Sequence, residues 1–262
     1  MKKLGALLVG LGLVTGSVFA AATNSAVSVN AVGFVNKTML NGQALLMTCN
    51  FQKVGGGTNT LLDIFGTNQL AQNDSVPACD LVIMWDIAQS KYQSYAQWTD
   101  GKFYKANDMV EWGNSIEANP NVPVGTALWL IPSSTQISNK VLTLAGEVVG
   151  VATQQINVVS GPQLMGYPLT SSVALQDTGF AASGAANNDS VPACDLVITW
   201  LGDRYQTYAL WTDLKWYKAN DMVEWGNSIL ATNTIQLGEG FWYIARNNIT
   251  LTEVSPYYNN LK

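Results

Sequence analysis

Two acidic pairs at matching positions are the residues best placed to do chemistry: Asp108 with Glu111, and Asp221 with Glu224. Paired carboxylates are the equipment of glycoside hydrolysis, one serving as acid and the other as base or nucleophile across a sugar ring. Residues three apart in one loop seldom face each other across a substrate, so these pairs make a poor catalytic centre. The chain contains no His. Its absence removes the commonest general base, the Ser-His and Cys-His nucleophile pairs and the commonest metal ligand. No catalytic residue is assigned. The expectation is a protein without enzymatic activity, a carboxylate-using glycoside enzyme being the remote alternative.

The same segments suit binding better. Tyr92, Tyr95, Trp98, Tyr104 and Trp112 recur as Tyr205, Tyr208, Trp211, Tyr217 and Trp225. Exposed rings flanked by Asn and Asp hold sugars by stacking on their apolar face and bonding their hydroxyls. The candidate ligand-binding set is Tyr95, Trp98, Asn107, Asp108, Glu111 and Trp112, with Tyr208, Trp211, Asn220, Asp221, Glu224 and Trp225 as its second copy. The competing reading places the rings in the core, the usual location of Trp in a small module. Calcium would use the oxygens of Asn73, Asp74, Asp80, Asn107, Asp108 and Glu111. No EF-hand spacing is present, and Asx residues are the default turn formers. No cofactor or metal is expected, with calcium as a weak option.

The cysteines are Cys49, Cys79 and Cys194. An export compartment permits disulfides, but three cysteines cannot all pair within one chain. Three arrangements are open: Cys79 with Cys194, Cys49 with Cys79 leaving Cys194 to link subunits, or three small buried hydrophobes.

The elements that position these residues are duplicated. Asn73 to Ile83 recurs letter for letter as Asn188 to Ile198, an offset of 115, and Tyr104 to Ile116 recurs as Tyr217 to Ile229, an offset of 113. The change places a two-residue deletion between Trp85 and Tyr92. Such self-similarity marks a repeat architecture. The expected modules span 28–144 and 145–256, followed by a polar tail over 257–262. Identity confined to two blocks has two readings: a surface presented twice, which would give avidity, or a shared core motif.

Within one module, alternation and β-branched runs predict strands at Val27–Val35, Ala44–Thr48, Asp80–Trp85, Lys91–Trp98, Gly125–Ile131 and Lys140–Val148. Leu61 to Phe65 reads as one helical turn, and Asp100-Gly101 as a tight turn. The fold class is all-β with minor helix: two tandem homologous modules, each a small sandwich or barrel. The last strand of the first module runs into Gly146 to Gly150, read as the first strand of the second, so the modules are expected to be rigidly coupled.

The order Val32 to Asn36, then an apolar strand, an aromatic-rich middle, Gly-x-x-x-Trp (Gly125 to Trp129; Gly238 to Trp242) and a closing Leu144 to Val148 resembles a secreted tandem module of verrucomicrobial-type bacteria. The resemblance covers nearly all of the chain after its leader. It implies a secreted β module and carries over no catalytic residue. The two long identical blocks depart from that pattern.

Lys2 and Lys3, the apolar stretch Leu4 to Val14 and the small residues around Ala20 have the order of a secretory signal peptide over residues 1–20, cleaved at 20–22. The stretch is short of the about 20 apolar residues a spanning helix needs, and no later segment supplies them, so no membrane span is expected. The mature chain loses Lys2 and Lys3 from 13 basic residues and keeps all 18 acidic ones, a net charge of 11 − 18 = −7. Such a chain repels a phosphate backbone, which excludes nucleic acid as a partner. The expected location is extracellular or the cell surface. The expected role is a structural assembly subunit whose partners are its own copies or other envelope components, because a repeat with open ends can continue head-to-tail. A bivalent glycan-binding protein is the alternative.

Overall fold

The structure, a computed structural model, describes residues 31–106, 116–219 and 229–258. The first half contains β1 (Val32–Met39), β2 (Leu45–Thr48), β3 (Asn59–Thr60), α1 (Leu61–Phe65), β4 (Leu81–Asp86), β5 (Lys91–Gln97), β6 (Phe103–Lys105), β7 (Asn121–Val122), β8 (Ala127–Ile131) and β9 (Lys140–Glu147). The second half contains β10 (Thr153–Val158), β11 (Gly161–Gly166), β12 (Val173–Ala174), β13 (Leu196–Trp200), β14 (Tyr205–Leu210), β15 (Trp216–Lys218), β16 (Thr234–Ile235), β17 (Gly240–Ala245) and β18 (Ile249–Val254). The fold is all-β, and every strand pair is antiparallel. Among the described residues no helix is long and apolar enough to cross a membrane.

Both halves use one strand order. A five-stranded sheet runs β2-β8-β4-β5-β6 in the first and β11-β17-β13-β14-β15 in the second. A two-stranded ribbon joins first strand to last, β1 with β9 and β10 with β18, and a short pair joins β3 with β7 and β12 with β16. The two-residue deletion falls in the β4–β5 turn. Trp85 pairs with Tyr92 in register, and Trp200 with Tyr205, so the hairpin simply closes two residues earlier in the second half.

Strand alternation decides what each sheet buries. Inward residues Met47, Val82, Tyr95, Phe103, Leu128 and Leu130 meet Met39 of β1, Leu142 and Leu144 of β9, and the buried side of α1. The second core repeats this with Met165, Val197, Tyr208, Trp216 and Phe241 against Val158 and Leu251. Helix α1 is short but fully capped: Thr60 accepts from the Asp63 backbone N–H while Asp63 accepts from that of Thr60.

The junction corrects one expectation. Gly146 and Glu147 are the end of β9, opposite Gly33 and Val32, and the next strand begins only at Thr153. Gly146 is held there by contact: a Cβ would lie 2.4 Å from the Gln52 carbonyl oxygen, and Gln52 and Glu147 exchange backbone hydrogen bonds. Pairing within the first half therefore consumes the residues that read as the opening of the second.

Candidate functional site

The outward faces of β4 and β13 are as apolar as their inward faces. Ile83, Trp85 and Trp200 point away from the cores, and β8 and β17 add Trp129 and Trp242. Apolar surface of this size is not left in water, and here the two halves cover each other. The contact is reciprocal. The Thr48 N–H donates to the Gly238 carbonyl at 3.1 Å, and the Gly166 N–H donates to the Gly125 carbonyl at 2.9 Å. Met47 bridges Glu239, and Thr126 bridges Met165. Each bond repeats with equivalent residues exchanged, the signature of an isologous, self-complementary contact. Gly125 and Gly238 sit at φ 87° and 77°, where a side chain is strained. A Cβ on Gly166 would lie 2.2 Å from Thr48, so only glycine lets the backbones approach.

Two aromatic triads flank this contact. Trp85 meets Trp242 edge-on at 5.2 Å and Tyr92 at 5.1 Å. Trp200 and Trp129 meet at 5.6 Å, with Tyr205 at 4.9 Å from Trp200. Each triad opens into a cleft. One, of about 510 Å³, is lined by Trp85, Tyr92, Pro162, Tyr205, Trp242 and Ile244 among others. The other, of about 320 Å³, is lined by the counterparts Trp200, Tyr205, Ala44, Tyr92, Trp129 and Ile131. Tyr92 and Tyr205 line both clefts and are 44% and 45% exposed. Burial pushes both phenols above their usual pKa, so they are neutral donors and acceptors at physiological pH. Neither lining contains a carboxylate, a cysteine or an ammonium group.

The sequence-predicted set lies elsewhere. Tyr95 and Tyr208 are buried in the two main cores, and Trp98 and Trp211 are buried in satellite clusters with Cys79 and Cys194. These four rings are spent on packing, Tyr95 and Tyr208 on the core side of their sheets and Trp98 and Trp211 on the opposite side in the satellite clusters, and the expected stacking surface is not formed by them. Asn107, Asp108, Glu111, Trp112, Asn220, Asp221, Glu224 and Trp225 lie outside the described residues. The rings that do line clefts were partly visible beforehand: Tyr92 and Tyr205 as repeated tyrosines, Trp129 and Trp242 as the ends of Gly-x-x-x-Trp. Trp85 and Trp200 were missed. The available signal was a strand apolar on both faces.

The identical Asn73–Ile83 and Asn188–Ile198 blocks hold the fold. Asn73 and Asn188 each accept from the backbone two residues on, and Asp74 and Asp189 accept from Thr99 and Thr212. Asp80 is fully buried and accepts from the N–H groups of Ala71 and Ser133 and from Lys140. Asp195 accepts from Arg246 N–H and the Tyr243 hydroxyl. The oxygens proposed for calcium at Asn73, Asp74 and Asp80 are thus engaged in turns and strand ends. Among the described residues, no three His, Cys, Asp or Glu side chains gather as a metal site. Cys49, Cys79 and Cys194 are free, buried thiols in three separate clusters, which corrects both proposed disulfides and the subunit link through Cys194. Comparison of the chain with protein-family models, with curated proteins and with solved structures finds no match to any of them.

Proposed function

We propose that this is a non-catalytic, extracytoplasmic protein that binds carbohydrate through the two aromatic clefts between its halves. The observation that carries the reading is the Trp85–Trp242–Tyr92 triad and its counterpart, partly exposed around clefts that contain rings and hydroxyls but no acid–base pair. Sugars whose ring substituents are all equatorial present flat C–H faces to aromatic rings and hydroxyls at their rim, the mixture these linings complement. The sequence of residues 1–20, read as a secretory leader, supports an external location, and two clefts on one chain support gain by avidity on a polymeric glycan.

The test is a glycan array probed with the mature chain and with the Tyr92→Ala/Tyr205→Ala variant. Both tyrosines are half exposed, so their loss leaves the cores intact. Binding to β-linked oligosaccharides that disappears in the variant is expected. An array with no signal, or one indifferent to the variant, would overturn the reading.

The assembly role remains a second proposal, favoured by one feature. Val32 and Phe34 stand exposed on one face of β1, Phe34 at 69%. The isologous contact gives no further support to it, since a self-complementary surface used once within the chain cannot continue head-to-tail. Size-exclusion chromatography of the mature chain decides it: a monomer at high concentration sinks assembly.

A further inference from the structure

The two clefts meet at one pair of side chains. Tyr92 and Tyr205 line both of them. The two phenols are near enough to act on each other: after burial, the Tyr205 phenol is the second cause that pushes the Tyr92 pKa up. On either side of this pair the walls correspond position by position. Pro162, Ile198 and Ile244 of the larger cleft answer Ala44, Ile83 and Ile131 of the smaller. Each cleft takes this wall from one half and a tryptophan from the other, Trp85 facing second-half residues and Trp200 facing first-half residues. Thr207 adds a hydroxyl to the larger cleft, and neither lining carries a formal charge.

Resting on the carbohydrate reading, we propose that the two clefts form one continuous site for a single linear, neutral glycan chain of β-1,4-linked, all-equatorial sugars, which crosses the Tyr92–Tyr205 pair and lies in both clefts at once. An uncharged lining offers nothing to a uronate or sulfate group, and the formal net charge of −5 repels a polyanionic chain. The self-complementary contact between the halves sets the second cleft in reverse order to the first. A ligand running through both therefore meets the same kinds of group in opposite directions. Directional hydrogen bonding would favour one cleft over the other, whereas aromatic and aliphatic walls stack on flat C–H faces whichever way the chain runs. Once one end of such a chain is held, its other end enters the second cleft as an intramolecular event, so affinity grows steeply with chain length.

The experiment is calorimetric titration of the mature chain with cellohexaose and chitohexaose, with the trisaccharide of each, and with maltohexaose, whose α-1,4 links curl the chain. The expected result is one β-1,4 hexasaccharide per protein chain, bound about 10-fold or more tighter than its trisaccharide and than maltohexaose. Ile244→Trp and Ile131→Trp, at equivalent half-buried positions, each narrow one cleft. Either variant should bring hexasaccharide affinity down to the trisaccharide level. Thermal melts report whether they fold, and if one does not, the stoichiometry and length dependence of the parent decide. Two hexasaccharides per chain, equal affinity for the long and short probes, or a variant that halves the stoichiometry at unchanged affinity would overturn the continuous site and leave the carbohydrate reading standing. Maltohexaose bound as tightly as the β-1,4 probes would overturn the flat-faced ligand class. No binding of any probe, together with a silent glycan array, would overturn both the continuous site and the carbohydrate reading.

Discussion

The side-chain oxygen of Asn50 accepts a hydrogen bond from the backbone N–H of Gly238, 2.7 Å away and 188 residues along the chain. The amide nitrogen of the same side chain donates to the Tyr167 and Leu169 carbonyls. One fully buried asparagine thus satisfies three backbone groups of the other half. Pro168 occupies the matching place in the second half and offers no such group, so this latch is made once.

Asn50→Ala strands those three buried groups. Each unsatisfied group costs about 1–3 kcal/mol and the losses are not additive, so a destabilisation of about 3 kcal/mol is expected, lowering Tm by roughly 10 °C. Asn50→Asp should be worse, because a carboxylate keeps the acceptor, loses both donors and buries a charge. Urea unfolding of both variants checks this. A loss below about 1 kcal/mol for alanine would show that the latch does not hold the halves together.

The β-turn after β5 differs between halves in a way that exposes strain. Gly101 and Leu214 hold equivalent places, at φ 79° and 64°, and each donates back to a tryptophan carbonyl at 2.8 Å. The left-handed region costs a side-chain-bearing residue about 1–2 kcal/mol, and Leu214 is 52% exposed, so little packing compensates it. Leu214→Gly should raise stability by about 0.5–1 kcal/mol, the gain being trimmed by the greater freedom of glycine in the unfolded chain. Gly101→Leu should lower it, the more so because its Cβ would approach Thr67 to 3.3 Å. Equal Tm values for parent and Leu214→Gly would refute the strain.

Much of this architecture was legible because its signals are local. Alternating Val, Ile and aromatic residues located the strands within a few positions, Asp100-Gly101 located a turn, and the shift in repeat offset pointed to the β4–β5 hairpin. What was hidden depends on which way a sheet face is covered. Trp98 and Tyr95 look like Trp85 and Tyr92 in a list of aromatics. Tyr95 and Tyr92 differ in parity along β5, which sends one into the core and the other into a cleft made with residues more than 100 positions away, while Trp98 shares the parity of Tyr92 and is buried beyond the end of β5 among Cys79, Ala96 and Ala106. The junction failed for a similar reason. Gly146-Glu147 has strand character, but its partner, β1, lies at the far end of the first half, and nothing local chooses that partner over the following chain. Gly125 and Gly238 stood out as motif residues, while their role as reciprocal backbone acceptors required the second half in place.

The cysteines make a redox prediction. Burial raises the pKa of all three thiols, and that of Cys79 reaches about 11. Thiolate is the reactive form, and inert buried thiols are slow nucleophiles. The native chain should react with a thiol reagent far more slowly than the denatured chain, which should titrate three groups. Reductant should leave Tm unchanged. A mass lower by two hydrogens, or a reductant-sensitive melt, would show a disulfide and overturn the assignment.

Glu253 makes stability depend on pH in the direction opposite to most carboxylates. It is 3% exposed. Burial drives its pKa up to about 7, against the lowering pull of the Gly179 N–H and the Tyr167 hydroxyl that donate to it. The native state therefore holds a proton that the unfolded chain, with a carboxyl near 4.5, releases. This group's stabilisation is fully present below about pH 4.5 and is lost as pH rises through about 7. At about 1.4 kcal/mol per pH unit, the loss amounts to about 3 kcal/mol by pH 8. Glu253→Gln keeps a neutral group of the same shape that can accept from Gly179, so it should match the parent near pH 4 and exceed its stability near pH 8. Urea midpoints across that range, compared between parent and variant, measure the difference. Parallel curves would mean that Glu253 is ionised in the native protein at neutral pH, and that the Tyr167 hydroxyl and Gly179 N–H stabilise its charge in full.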